Sequence, residues 1–322
     1  MKLLLWLAVL SPAILWTVSH YTLPRWWLEN ITTYPAIFLI CYGILFTFSA
    51  IAKDPTLTLT SLCLGIFFFS LTPKNSQTVT ACSDDLTYDV IQYNAYYGNA
   101  NINSFINELI RSPADLVVMQ EVSPELGEKL YSIDDVYPFR YGGQEGVGYP
   151  SSQLILSRQP LTGLSVFHTP DAQNIISGEW QVTHNHSIHL ITAHPPSPRN
   201  QSLWHRRNAL IRTIESMTTR YPFPDTLIIG DFNLSSKSAL FTQLFSDFDT
   251  VPVASWPNWF SNFMPPAFVM IAIDHLWLKS NESNWFICSR EALKHVKGSD
   301  HLMIKTQIGF KPEQSKLKSK HR

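Results

Sequence analysis

The run Leu227-Ile228-Ile229-Gly230-Asp231-Phe232-Asn233 restricts the fold of this chain more than any other segment. A short apolar run of this kind reads as a buried strand. It stops at a glycine, which permits a sharp backbone turn. The acid and the amide that follow are two residues apart. Residues i and i+2 of an extended segment face the same side, so Asp231 and Asn233 are expected to point into one pocket. A carboxylate can hold a cation or orient water, and a carboxamide can donate to a phosphoryl oxygen. The pair suits hydrolysis of a phosphate ester, although a strand followed by Gly-Asp is also ordinary structural punctuation.

Five other segments each bring one chemically competent residue. Val90-Ile91-Gln92-Tyr93-Asn94 is an apolar strand delivering Asn94, and Leu116-Val117-Val118-Met119-Gln120-Glu121 delivers Glu121. Leu190-Ile191-Thr192-Ala193-His194-Pro195 delivers His194. Near the end come Ile273-Asp274-His275 and Gly298-Ser299-Asp300-His301. Taken in order, this set resembles the endonuclease/exonuclease/phosphatase superfamily over roughly residues 86–310. Leu154-Ile155-Leu156-Ser157-Arg158 resembles the strand that ends in Ser-Arg or Ser-Lys in that superfamily.

The resemblance implies hydrolysis of a phosphate ester with a divalent metal. Glu121 is the expected metal ligand. Mg2+ is the expected ion and Mn2+ can substitute, because carboxylates and water suit a hard cation. Asn94 would support the metal or the phosphate, and Asp300 would be a second metal-side carboxylate. Asp231 would orient or deprotonate the attacking water, and Asn233 would steady the transition state. His194 would donate to a phosphoryl oxygen or assist the leaving group. His301 would contact the scissile phosphate or take a proton from the water, with Asp274 holding its ring. Arg199 and Arg206 are candidates for a substrate phosphate or head group, or else surface charge at a helix start. His275 should face away from the site, and His184, His186 and His189 read as structural or surface residues. The tyrosine that several nucleases use at mid-chain has no clear counterpart; Tyr149 is the nearest candidate.

Residues 3–19, 35–52 and 56–72 are almost wholly apolar. A membrane span needs about 20 apolar residues, with about 17 tolerated, so three short transmembrane helices are expected. A cleaved signal peptide is the alternative for the first, but no small-x-small site follows it. Lys2 and Lys53 favour an inside N-terminus and an inside second loop. That places the large domain outside, which is the periplasm of a Gram-negative bacterium, with the helices in the inner membrane and in contact with its lipids. Residues 73–85 read as a polar linker. Residues 81–310 carry 15 basic and 22 acidic residues, net −7, and residues 311–322 form a basic tail expected to be disordered. A net-acidic domain is a poor partner for long duplex DNA, whose binding depends on neutralised phosphates. No protein partner is inferred.

The domain over residues 86–310 alternates helices and strands, with helices expected over Asn103–Ile110, where Phe105, Ile106, Leu109 and Ile110 share one face, and over Trp204–Thr218, and a hairpin around His184-Asn185-His186. Such alternation argues for a four-layer α/β/β/α sandwich of two mixed sheets, preceded by the membrane helices. In the resembled fold the first and last strands are neighbours, so Cys82 and Cys288 either form a disulfide suited to an oxidising compartment or remain two thiols. The aromatic, proline-rich stretch from Trp256 to Phe268 is either an apolar patch beside the site or a cover over the core. Three functions fit. The first is a membrane-anchored phosphoesterase acting on a lipid head group or a small phosphorylated compound. The others are a periplasmic nuclease and a catalytically silent binding module on a membrane stem.

Overall fold

Four apolar helices lead into two stacked β-sheets in the computed structural model, which describes residues 2–22, 25–82, 86–142, 152–258, 265–281 and 284–311. The loop at 144–150 with Tyr149, the middle of the aromatic stretch at 259–264 and the tail at 312–322 lie outside the described residues. The leading helices are α1 (Lys2–Thr22), α2 (Trp26–Thr32), α3 (Pro35–Ile51) and α4 (Pro55–Ser70). Pro35 and Pro55 open their helices, where a missing N–H removes no helical bond. Asp54 caps α4 by accepting the Leu57 N–H at 3.2 Å.

α1, α3 and α4 run alternately up and down. The Tyr42 hydroxyl on α3 donates to the Val9 carbonyl at 3.0 Å and accepts the Ala13 N–H at 3.1 Å. Phe38 stacks on Phe68 at 4.6 Å, and Trp16 meets Phe68 edge-on at 5.7 Å. The end of α1, the start of α3 and the end of α4 therefore share one level, next to the sheets. Lys2 and Lys53 lie at the other end. The outward faces are also apolar, with Leu3, Ile40, Ile44, Ile51, Leu59 and Ile66 exposed. Of the three expected spans, Lys2–Tyr21 is by itself long and apolar enough to cross a membrane. α3 reaches that length only together with α2, from which it bends by 61°. α4 has 16 residues, about 24 Å at 1.5 Å per residue, short of the roughly 30 Å hydrocarbon core.

The rest of the chain runs β1 (Ser76–Thr78), β2 (Thr87–Asn94), α5 (Ile102–Arg111), β3 (Leu116–Gln120), α6 (Pro124–Tyr131), β4 (Phe139–Gly142), β5 (Leu154–Ser157), β6 (Leu161–His168), β7 (Asn174–Thr183), β8 (His186–Ala193), α7 (Gln201–Arg220), β9 (Asp225–Asp231), β10 (Asp249–Thr250), β11 (Asp274–Ser280), β12 (Trp285–Leu293) and β13 (Met303–Phe310). One sheet has the order β1-β12-β13-β2-β3-β5-β4 and the other β10-β11-β9-β8-β7-β6. Both are mixed, each with one parallel pair, β2 with β3 and β8 with β9. Val90, Leu116, Val118 and Ile155 of the first sheet pack on Ile176, Trp180, Leu190 and Ile229 of the second. α5 and α6 cover the outer face of the first sheet through Phe105, Leu109, Leu126 and Leu130. α7 covers the second through Leu210, Ile211 and Ile214. The expected four layers are present.

Several local expectations need correction. On α5, Ile110 is half exposed and Glu108 takes the buried side, paired with Arg111 and with His295 at 3.0 Å. A partnered carboxylate can occupy an inward position that an apolar pattern assigns to isoleucine. The segment read as a linker contains β1, which pairs with β12, and Cys82, which forms a disulfide with Cys288 at a Cα–Cα distance of 5.7 Å. Gly230 does not make a turn. It lies inside β9, and a Cβ there would sit 2.1 Å from the Ala193 carbonyl oxygen, so glycine is required for close approach to β8.

Candidate active site

Every site residue stands at a strand end. The parallel pairs deliver the C-terminal ends of β2, β3, β8 and β9 to one edge of the sandwich. Those ends carry Asn94, Glu121, His194 and Asp231. Antiparallel partners deliver their N-terminal ends there, so Asp274 opens β11 directly opposite Asp231. Asp300 and His301 precede β13. Glu121 and Asn233 adopt left-handed backbone, with φ of 55° and 49°. Non-glycine residues take this region at a cost and do so often at functional sites.

Asn94 sits at the centre. Its Nδ2 donates to Glu121 Oε1 at 3.0 Å and to Asp231 Oδ2 at 2.9 Å. Its Oδ1 accepts the Tyr96 N–H at 3.0 Å. His194 Nε2 lies 3.6 Å from Asp231 Oδ2 and 3.9 Å from Glu121 Oε1. His301 Nε2 lies 3.7 Å from the same Asp231 oxygen, and its Nδ1 donates to Asp274 Oδ2 at 2.8 Å. The Asn233 N–H donates to Asp231 Oδ1 at 2.9 Å, and its Nδ2 donates to the Pro195 carbonyl at 3.0 Å. Asp231 and Asn233 do come together, but through a left-handed turn after the strand rather than through an extended segment. Ser299 places His301: its Oγ donates to the Asn94 carbonyl at 2.7 Å and accepts the His301 N–H at 3.0 Å.

The charges in this cluster support one another. Burial disfavours the His301 cation, yet the Asp274 and Asp231 carboxylates outweigh it and hold the imidazole up at about 10. Burial likewise opposes charge on His194, but the Asp231 and Glu121 carboxylates beside it win and its pKa rises. Burial alone would raise Asp231; the two histidines and Asn94 instead bring it down to about 2. Burial raises the Asp274 carboxyl, against the pull of His301. His275 faces the other way, as expected. Its Nε2 donates to the Leu234 carbonyl at 2.7 Å, and burial drops its pKa to about 3, which keeps it neutral.

The remaining candidates divide. Arg199 lines the cleft and is exposed. Arg206 does not join the site: it donates to the Asp171 carboxylate at 2.9 Å and the Asp171 carbonyl at 2.7 Å. Its neighbour Arg207 turns inward, buried, and donates to Glu29 at 2.7 Å and to the Asn233 carbonyl at 3.0 Å. Asp300 lines the cleft and accepts the Trp256 indole N–H at 3.2 Å. His189 pairs with Glu179 at 3.1 Å across the hairpin. Sequence reasoning missed Gln92 and Arg290. The buried Arg290 guanidinium donates to Gln92 Oε1 at 2.7 Å and to the Asp274 carbonyl at 3.1 Å. Gln92 in turn donates to the Gly230 carbonyl at 2.6 Å. The two brace β2, β9, β11 and β12 beneath the site. A glutamine inside an otherwise apolar strand was the only local signal.

A hard cation fits this donor set. Glu121 Oε1 and Asp231 Oδ2 converge on one Asn94 amide, and Asp274 Oδ1 is buried without a hydrogen-bond partner. Asp231, Asp274 and His301 offer ligand atoms within 4.8 Å of one another. Of these, His301 is engaged by a proton and Asp274, so the oxygens of Glu121 and Asp231 are the better ligands. Asn94 would have to rotate its amide to offer oxygen. The cleft over the cluster has a volume of about 860 Å³.

The chain belongs to the Endonuclease/Exonuclease/phosphatase family, whose model matches residues 91–301. Members of this family hydrolyse phosphoesters or nucleic acids and generally depend on divalent metals. Among solved structures of the same fold, a humanized D. rerio TDP2 carrying 14 mutations aligns with a TM-score of 0.56 at 18% identity, covering 69% of this chain and 99% of that one. The human Nocturnin catalytic domain with bound sulfate aligns at 0.54 and 13% identity, covering 73% and 98%. A Staphylococcus aureus beta toxin aligns at 0.51 and 16% identity, covering 68% and 99%. Likeness at these identities is likeness of fold. No curated protein matches the chain.

Proposed function

We propose that this protein is a membrane-anchored, Mg2+-dependent phosphodiesterase whose substrate is a lipid head group or a small phosphorylated compound, with its domain on the periplasmic side of a bacterial inner membrane. The observation that carries the proposal is the convergence of Glu121, Asp231, His194, His301 and Asn233 on one cleft. Glu121 and Asp231 would hold the cation, with Asn94 between them. When bound, the cation would neutralise charge on the phosphoryl group and acidify water. Asp231 accepts a hydrogen bond from the attacking water and orients it. Asp231 is also the carboxylate placed to take the proton that this water loses. His301 presents a charged N–H to the phosphoryl oxygens, and Asp274 keeps that proton in place. His194, also biased toward its charged form, can protonate the leaving oxygen. Asn233 donates from the turn beside Asp231.

The periplasmic nuclease reading is weaker, because the domain is net acidic and the Arg206 charge is taken by Asp171. Full-length protein in detergent should hydrolyse bis(p-nitrophenyl) phosphate with Mg2+ and stop in excess chelator. Glu121→Ala should abolish turnover and weaken Mg2+ binding in calorimetry while leaving the melting temperature near that of the parent. Turnover that persists in chelator, or in the variant, would overturn the assignment.

A further inference from the structure

The end of α2, the two residues after it and the first turn of α3 form part of the active-site cleft. Asn30, Thr33, Tyr34 and Ile37 line the same cavity as Glu121 and His194. Hydrogen bonds fix this wall to the catalytic domain. Glu29 accepts from Arg207 at 2.7 Å and from the Trp204 indole at 2.6 Å. Asn30 donates to the Pro198 carbonyl at 2.8 Å, and Ser235 donates to the Thr33 carbonyl at 3.0 Å. The Tyr34 hydroxyl donates to the Val269 carbonyl at 2.5 Å. Apolar Ile37, Leu203, Ile271 and Ile273 line the same cleft as the charged Glu121, Asp231 and His301.

From Ile37 the apolar surface continues along α3. Ile37, Ile40, Ile44, Phe48 and Ile51 are all exposed. Their spacing places them along one stripe of α3. The stripe starts in the cleft and runs toward the far end of the helix bundle. Exposed Phe268 lies near Phe69 of α4, ring centroids 6.3 Å apart. A water-soluble ester has no use for such a track, and a nucleic acid backbone would meet apolar surface on a net-acidic domain.

We propose that the active site is a composite of catalytic domain and membrane helices, and that its substrate is a phospholipid taken laterally from the bilayer. The phosphodiester sits over Glu121, His194 and Asp231, and an acyl chain lies along the Ile37–Ile51 stripe. This rests on the membrane-anchored hydrolase reading above and adds the substrate class and the wall that selects it. The test uses full-length protein in mixed micelles with Mg2+. One substrate is a mixture of phosphatidylethanolamine, phosphatidylglycerol and cardiolipin, and the other is the same mixture deacylated to glycerophosphodiesters. We expect kcat/KM at least tenfold higher for the lipids, and a reduction of that ratio by at least tenfold in Ile37→Glu, carried by KM. Thermal melting checks that the variant folds. In the wild type, a phospholipid with a photoreactive group in its acyl chain should crosslink to Asn30–Ile37 and Ile271–Ile273. Equal kcat/KM for the two mixtures, with crosslinks scattered over the outer faces of α1 and α4, would overturn the proposal and leave a working hydrolase. Crosslinks in the cleft without turnover of any ester would support the lipid site and overturn the hydrolase assignment instead.

Discussion

His301 holds its proton because two carboxylates face it in a buried setting, one by a hydrogen bond to Nδ1 and one across from Nε2. Its folded pKa of about 10 lies above the ordinary value of 6.5. The charged ring therefore contributes stability that is complete below pH 6.5 and is lost as pH rises through about 10. Nitrogen-labelled histidine NMR of the protein in chelator should show the His301 ring still charged at about pH 8. Asp274→Asn should bring its titration well down, since burial then acts with less opposition. In turnover assays, His301→Ala should lose on the order of 10²–10⁴ in rate. The double variant should be little worse, because the pair acts as one unit. An unchanged titration in Asp274→Asn would show that Asp274 does not hold the proton. The same scale explains why Arg207 rather than Arg206 faces the cleft. Adjacent helix positions point about 100° apart, so one arginine turns to the surface acid Asp171 and the next turns under the helix.

Among elements, α2 has the largest consequence for its length. Its Glu29 meets Arg207, whose other nitrogen holds the Asn233 carbonyl in the turn after Asp231. The helix is thus linked to the catalytic turn through a single side chain. Removing one partner of a buried ion pair costs on the order of 3–5 kcal/mol, because the other charge is left unpaired. Glu29→Ala should lower the melting temperature and reduce kcat. Glu29→Gln, whose single carboxamide oxygen can still accept from Arg207 but then turns its NH2 toward the Trp204 indole, should recover only part of both. Parent-like melting and turnover in Glu29→Ala would show that α2 is a passive connection. The same contacts make a fragment starting near residue 84 a poor substitute for the chain. It would lack β1, Cys82 and the α2 wall, and would expose Arg207 and Trp204.

At the scale of the whole molecule, the ends of α1 and α4 and the start of α3 share a level with the catalytic cleft, and Lys2 and Lys53 share the opposite level. In the proposed orientation the helices cross the membrane an odd number of times, with the two lysines inside and the domain outside. A reporter fused after residue 311 should be active only on the outer side of the membrane; an inside signal would reverse the orientation. The Cys82–Cys288 disulfide, with 206 residues of separation, fits the proposed outer side, where disulfides persist.

Much of the site was legible in the sequence because each residue sits at the end of a short apolar strand. The strand pattern, the ordered polar residues and the apolar helices are local properties, and local properties survive without a fold. The sandwich, the buried strands and the convergence of Asn94, Glu121, His194, Asp231, Asp274 and His301 follow from them together with the family resemblance. Contacts between distant segments were not legible. Nothing near Glu29 signals that it will meet Arg207, and nothing near Gln92 signals Arg290. Gly230 looked like a turn residue because the carbonyl that excludes its side chain belongs to another strand. Ile37 looked like one more membrane residue. Only the tertiary structure, in which α2 bends by 61° from α3 and docks on α7, brings it to the cleft. These are pairings across long stretches of chain, selected by shape and charge only once both surfaces exist.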